Sequence, residues 1–294
     1  MMQQLDLLLS SQMLFSALAG VIGLLVGSFL NVVIYRLPIM MQRAWRKECA
    51  EYLQLNQELT DANEEEVFNL MLPLSRCPGC GTAIKPYQNI PVLSYVFLKG
   101  KCASCSNPIS LRYPIIEAFT AVTSVIVAWH FGYTIQAAFA LLLTWSLIAM
   151  SFIDIDHYLL PDSINLPLLW LGLFLSLYGI FTDTHSSIIG AIAGYMVLWS
   201  VFHLFKLATG KEGMGYGDFK LLALFGAWLG WQYLPVIVLL SSLVGAIIGI
   251  AMIIFVKRNH NIPIPFGPYL AVAGWIALLW GHDINQLYLA TAGL

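Results

Sequence analysis

The chain returns again and again to apolar runs of the length that crosses a bilayer, about 20 residues each. They fall at approximately 13–34, 114–130, 135–153, 164–181, 187–205, 221–234, 236–256 and 266–281. The expected fold is therefore an all-α polytopic membrane protein of about eight transmembrane helices. The sixth run is short and rich in Gly and Trp, so it is expected to be tilted or broken. The first is not a cleaved signal peptide: no Lys or Arg precedes it, it is too long for an h-region, and Arg36 follows it. Composition supports this reading. Hydrophobic residues are 59% and charged residues 10%, against roughly 25% charged in a globular protein. So few charges cannot clothe a soluble globule of this size in polar surface. Disorder, a collagen-like chain and a secreted disulfide scaffold are excluded on the same grounds.

The charges that exist are concentrated. Residues 35–112 carry nine of the fourteen Lys/Arg and seven of the sixteen Asp/Glu. Three parts follow: a first span over 1–34, a hydrophilic insert over 35–112, and a seven-span domain over 113–294. If the N-terminus lies outside, the inside segments are 35–112, 154–163, 206–220 and 257–265. All fourteen basic residues are then inside, and the outside turns carry none. The insert is cytoplasmic in this arrangement and both termini are extracytoplasmic. An amphipathic helix is expected over 44–59. Cys49 is given no role, and Glu64, Glu65 and Glu66 read as a solvated linker.

Within the insert, Cys77-Pro-Gly-Cys80 and Cys102-Ala-Ser-Cys105 form two CxxC pairs. Each reads as a zinc-ribbon knuckle, two thiolates on a tight turn, and together they supply a tetrahedral four-sulfur site for one structural zinc ion. Four thiolates close the coordination sphere and leave no position for substrate. The alternative is four unligated or redox-active cysteines. A cytoplasmic loop is reducing, which argues against disulfides.

Carboxylates at span ends are where chemistry is sought, because an ionisable group at membrane depth is costly and usually functional. Asp154 and Asp156 end the third span, Asp162 opens the fourth, and Asp218 sits in Gly213-Met-Gly-Tyr-Gly-Asp218-Phe-Lys220 before the sixth. All four fall on the cytoplasmic side in the orientation above. Two carboxylates brought within a few ångström cannot both ionise, so one can serve as base and the other as acid. Plainer roles stand beside this one. Asp162 after Pro161 reads as a helix N-cap, and Asp156 as a snorkelling interface residue. Glu117, inside the second span, is either a helix-end residue near the interface or part of a polar site. The glycines before Asp218 permit an irregular backbone. They do not make a dinucleotide site, because no strand precedes them.

Taken together, Gly27-Ser-Phe-Leu-Asn-Val-Val-Ile-Tyr-Arg-Leu-Pro38, the paired knuckles, Asn89-Ile-Pro-Val-Leu-Ser94, Arg112-Tyr-Pro-Ile-Ile-Glu117, Asp154-Ile-Asp with Leu160-Pro-Asp162, and Gly213–Lys220 closely resemble the type IV prepilin peptidases. These are leader peptidases and N-methyltransferases of bacterial type IV pilus and type II secretion systems. The resemblance runs in order from about residue 20 to 282. It implies a GxGD-class aspartyl peptidase of the bacterial inner membrane that cuts prepilins and pseudopilins after the glycine of a short basic leader. It also implies N-methylation of the new terminus with S-adenosylmethionine as donor. The family's catalytic aspartates fall on Asp154 and Asp218, and its methyl-transfer positions on Gly100 and Lys101. Tyr216 stands where the family often has an apolar residue, which is not expected to impair cleavage. The partners implied are the pilin precursors and the lipid bilayer, with no nucleic acid; substrate identity and oligomeric state are left open. Two other classes fit less well. A carboxylate-coupled transporter should carry midplane charges and repeated halves, and a zinc-ribbon scaffold would leave the Asp/Gly loop without a purpose.

Overall fold

The computed structural model describes residues 11–54, 68–256 and 264–292. Apart from short 3₁₀ turns the elements are helices: α1 (Gln12–Tyr52), α2 (Leu93–Phe97), α3 (Arg112–Phe131), α4 (Ile135–His157), α5 (Asp162–Ser176), α6 (Thr184–Thr209), α7 (Tyr216–Leu229), α8 (Leu234–Val256) and α9 (Gly267–Ala292). Among the described residues, strand pairing is limited to two isolated bridges in the insert. The chain divides into two compact units, Met1–Tyr133 and Thr134–Leu294.

In the first unit α1 and α3 pack antiparallel. Gln12 Nε2 donates to Trp129 O at 2.7 Å near one end, and Asn31 Nδ2 donates to Tyr113 O at 3.2 Å near the other. Lipid offers no hydrophobic force between helices, so such pairs rely on small residues that let backbones approach. A Cβ on Gly23 would sit 2.6 Å from Ser124 Oγ, and one on Gly27 would sit 2.8 Å from Glu117 Cα. The hydroxyls of Thr120, Thr123 and Ser124 bond back to carbonyls of their own helix. The polar face of α3 is thereby neutralised inside the contact.

The first helix does not stop where its apolar run stops. It continues through Pro38 to Tyr52, and of the amphipathic helix expected over 44–59 the part beyond residue 54 lies outside the described residues, as does the acidic linker. Arg36, just past the apolar run, is buried. Its guanidinium donates to Asn69 O at 2.9 Å and Pro73 O at 2.5 Å, and it lies over the Phe68 ring, as does Arg43. The start of the cysteine region is thus tied to the helix.

In the second unit α7 is the central element. From Asp218 to Leu229 every residue but Lys220 is buried, as expected of a helix apolar on all sides. It meets α6 backbone to backbone: a Cβ on Gly190 would fall on the Gly226 carbonyl, and one on Gly194 would lie 2.6 Å from Leu222 O. Against α5, Trp228 Nε1 donates to Leu168 O at 2.8 Å while its ring covers Gly172. Against α9, the Phe225 ring fills the space left by Gly274.

The sixth span is broken, as its composition suggested. It ends at Leu229, Gly230 adopts φ +90°, and a 3₁₀ turn leads into α8. Fourteen residues reach only about 21 Å at 1.5 Å each, less than the hydrocarbon thickness of roughly 30 Å. The fourth span is also short, at 15 residues in α5. Among the described residues, the stretches long and apolar enough to cross on their own are Gln12–Tyr52, Arg112–Phe131, Ile135–His157, Thr184–Thr209 and Trp231–Met252. Eight is therefore an approximate count, and the protein is a polytopic helical membrane protein.

Candidate functional site

Of the four acids singled out at span ends, the second unit buries two and leaves two exposed. Asp154 occupies the last turn of α4, which closes on Tyr158 in a left-handed conformation with its N–H bonded to Asp154 O. Asp218 is the third residue of α7. There its Oδ2 accepts the Gly215 N–H at 3.3 Å, the bond that satisfies an otherwise orphaned donor at a helix start. Each aspartate is 6% exposed, and the two are near enough to act on one another electrostatically.

Asp156, two residues on, is exposed. Asp162 is not the N-cap expected of it. Pro161 holds that position, and Asp162 is the first helical residue of α5. Its carboxylate instead receives Lys220 Nζ at 2.7 and 2.8 Å. That ion pair joins the segment after Asp154 to the segment after Asp218.

Sequence reasoning missed one member of this site and left another, quoted only within a motif, without a role. Gly267 N donates to Asp154 Oδ2 at 3.1 Å in buried surroundings. A Cβ on Gly267 would lie 2.6 Å from that oxygen, so only glycine lets the backbone come so close. Leu160 is the other. Its side chain fills the space over Gly217, and its Cδ atoms lie against Gly267 as well, so one leucine seats both the Asp218 turn and the strip that holds Asp154. The usable signal was Pro265-Phe-Gly267-Pro268, a glycine between prolines at the start of the last span. Two buried carboxylates with mutual influence cannot both carry charge comfortably. One ionised and one protonated group can activate a water and donate to a carbonyl oxygen.

In the first unit the two knuckles repeat one hydrogen-bond scheme. Cys77 N donates to Thr82 O and Gly81 N to Cys77 O; Cys102 N donates to Asn107 O and Ser106 N to Cys102 O. Gly81 and Ser106 hold the same left-handed place, at φ +70° and +59°. The Sγ atoms of Cys77, Cys80, Cys102 and Cys105 all lie within 4.8 Å of one another, and Cys77 to Cys105 is 3.7 Å. Zn–S bonds near ~2.3 Å in a tetrahedron put sulfurs roughly 3.8 Å apart, so the donor set fits zinc.

The thiols influence one another. The Thr82 hydroxyl and backbone hold the Cys80 thiol down at about 6. Cys105 moves the opposite way: the Asn107 amide favours its thiolate, yet the neighbouring sulfur of Cys80, desolvation, and Cys102 and Cys77 push it up to about 12. Four sulfurs this close cannot all ionise without a cation among them. Cys49 is exposed and apart from them.

Gly100 and Lys101 adjoin the second knuckle. Gly100 is buried at φ +67°, and the Tyr95 ring lies over it, with Oη 2.7 Å from where a Cβ would stand. Lys101 is exposed. Glu117 settles as part of a polar site, buried in α3 with Oε2 accepting the Val92 N–H at 2.8 Å.

The class defined by these features is a membrane-embedded protein with a buried aspartate pair in one unit and a four-cysteine centre in the other. Comparison with known proteins carries this further. Residues 21–131 match the bacterial peptidase A24 N-terminal domain, and residues 141–250 match the type IV leader peptidase family. The chain belongs to the type IV leader peptidase family. It is 55% identical over 293 residues to a prepilin leader peptidase/N-methyltransferase of Stutzerimonas stutzeri, covering 100% of both chains. It is 57% identical over 292 residues to a protein of the same name from Pseudomonas aeruginosa, covering 99% of each. A Legionella pneumophila protein so named is 47% identical over 270 residues, 92% of this chain and 93% of that one. No solved structure matches the chain.

Proposed function

We propose that this protein is a prepilin leader peptidase and N-methyltransferase, removing the basic leader of type IV prepilins and pseudopilins and then methylating the exposed amine. Membership of the family, with near-complete coverage of relatives bearing both activities in their names, supports the reading. The observation that carries the peptidase assignment is the buried carboxylate pair, Asp154 and Asp218, each held by one glycine N–H. The ionised partner removes a proton from water as it attacks the scissile carbonyl, and the protonated partner donates to the developing oxyanion. The amine leaves with a proton from the pair. Burial excludes bulk water and strengthens each of these interactions.

The orientation that puts all basic residues inside places this pair at the cytoplasmic membrane boundary of the bacterial inner membrane, with both termini periplasmic. A basic leader followed by an apolar helix presents its scissile bond at that depth. Cys77, Cys80, Cys102 and Cys105 hold one zinc ion, whose role is to close the insert, since metal binding in a small ribbon is folding energy. Gly100 and Lys101 belong to the methyl-transfer region, with S-adenosylmethionine as the methyl-donor substrate. The three-part division at 34 and 112 corresponds to a first span, an insert and a peptidase domain.

Incubating the detergent-solubilised protein with a prepilin, then reading leader loss and N-terminal mass, tests both activities. Asp154→Asn and Asp218→Asn should each abolish cleavage while still methylating a substrate supplied already cut. A folded, zinc-loaded Asp218→Asn that trims leaders at the wild-type rate would refute the peptidase assignment.

A further inference from the structure

Neither chemistry above uses Glu117, although it is buried where three stretches of the first unit come together. It lies in the second turn of α3, 7% exposed, with Gly27 of α1 against its Cα. Oε2 accepts the Val92 amide at 2.8 Å, and the Ser28 hydroxyl is its other partner. Among the described residues no Lys or Arg pairs with it. A glutamine would accept the same amide at far lower desolvation cost, and a buried carboxylate carries its charge at least cost beside a cation.

Val92 is held by the same carboxylate. It is β-branched yet held at φ 58°, ψ −47°, a conformation that such residues rarely adopt. Its amide is the one pinned by Glu117, and it opens α2. From α2, Tyr95 lies over Gly100 and its hydroxyl donates to Ile109 O at 3.4 Å; Lys101 and Cys102 follow directly. Three separated stretches, Gly27–Asn31, Asn89–Ser94 and Arg112–Glu117, meet around Glu117. The charge, the Gly100–Lys101 turn and the second knuckle are therefore parts of one connected framework within the first unit.

We propose that Glu117 is the proton acceptor for N-methylation, a role that rests on reading the chain as an N-methyltransferase. The trimmed substrate presents an ammonium group at neutral pH, since a terminal amine has a pKa of roughly 7.7–8.0, and it is no nucleophile until it loses a proton. The Glu117 carboxylate is its counter-ion and takes that proton. The freed nitrogen lone pair attacks the methyl carbon of the sulfonium donor. An N–C bond forms and the C–S bond breaks, its electron pair staying on sulfur to leave a neutral thioether. The product departs as a methylammonium ion, and the carboxylic acid returns its proton to water.

Glu117→Gln keeps an acceptor for the Val92 amide and removes only the charge. In the full-length, detergent-solubilised protein, zinc content, S-adenosylmethionine affinity and leader cleavage should stay within about twofold of wild type. Methylation of a pre-cut pilin should fall by about 10²-fold or more at pH 7, the scale of a lost general base. That deficit should shrink as the pH rises through roughly 8, where the amine is already free. Glu117→Asp, which keeps the charge, should retain more methylation than Glu117→Gln. Wild-type methylation by the Gln variant overturns the proposal. So does a deficit constant from pH 6.5 to 9, loss of zinc or cleavage, or the reverse order of the two variants, all marks of a mere anchor for Val92. A wild-type protein that cuts but methylates nothing defeats the N-methyltransferase reading itself, and this proposal with it.

Discussion

Gly267→Ala is the smallest change that reaches the aspartate pair without touching either carboxylate. The added methyl would stand 2.6 Å from Asp154 Oδ2 and 3.2 Å from both Cδ atoms of Leu160, where ordinary contact begins at 3.4 Å. Either the carboxylate or the Phe266–Pro268 backbone must give way by most of an ångström. The bond from Gly267 N to Asp154 Oδ2 does not survive such a shift. A hydrogen bond to a charged group is worth about 1.5–3 kcal/mol, and misplacing a reacting group by 1 Å costs about 10²-fold. Leader cleavage should therefore fall by about 30- to 100-fold, mainly in kcat, because Asp154 is repositioned and leader binding is not the direct target. The assay is initial-rate leader release in detergent, with methylation of a pre-cut pilin as the folding control, expected within about twofold of wild type. Gly249→Ala is the matched comparison, since among the described residues its methyl would meet only Ile264 Cδ1, at an ordinary 3.5 Å. Undiminished cleavage by folded Gly267→Ala would refute the placement of this glycine against the working carboxylate.

Three further outcomes can be checked directly. Zinc at the four cysteines should be lost as pH falls, because protons compete for thiolates; Cys80 is a thiolate above about 6 owing to Thr82, so Thr82→Val should move zinc release to higher pH in a metal-retention titration. The Asp162–Lys220 pair is partly exposed, at 51% and 29%, and such pairs contribute less than about 1 kcal/mol. Asp162→Asn should thus slow cleavage by under tenfold, and the exchanged pair Asp162→Lys with Lys220→Asp should recover most of it, as read by kcat/KM. Gly100→Ala meets both a left-handed backbone and the Tyr95 hydroxyl, so methyl transfer should fall at least tenfold with leader cleavage unchanged; Lys101→Ala should do the same without affecting zinc content.

What the sequence determined by itself was whatever depends on local pattern. Long apolar runs imply membrane helices because lipid cannot satisfy a bare backbone, and two CxxC pairs imply one four-sulfur site because each knuckle is a turn of a few residues. Even the break in the sixth span was legible, since Gly230 lies within its Gly- and Trp-rich composition. Tertiary structure decided the rest. Asp154, Asp156, Asp162 and Asp218 look alike as acids at helix ends, and only packing buries Asp154 and Asp218 while leaving Asp156 exposed and giving Asp162 to Lys220. Gly267 is 113 residues from the carboxylate it holds, and Leu160 joins two loops that no periodicity relates. Glu117 acquired its partner from 25 residues upstream. Periodicity records which face of a helix is apolar, whereas a site is assembled from backbone donors and close approaches between helices, and those exist only once glycine-lined surfaces have met.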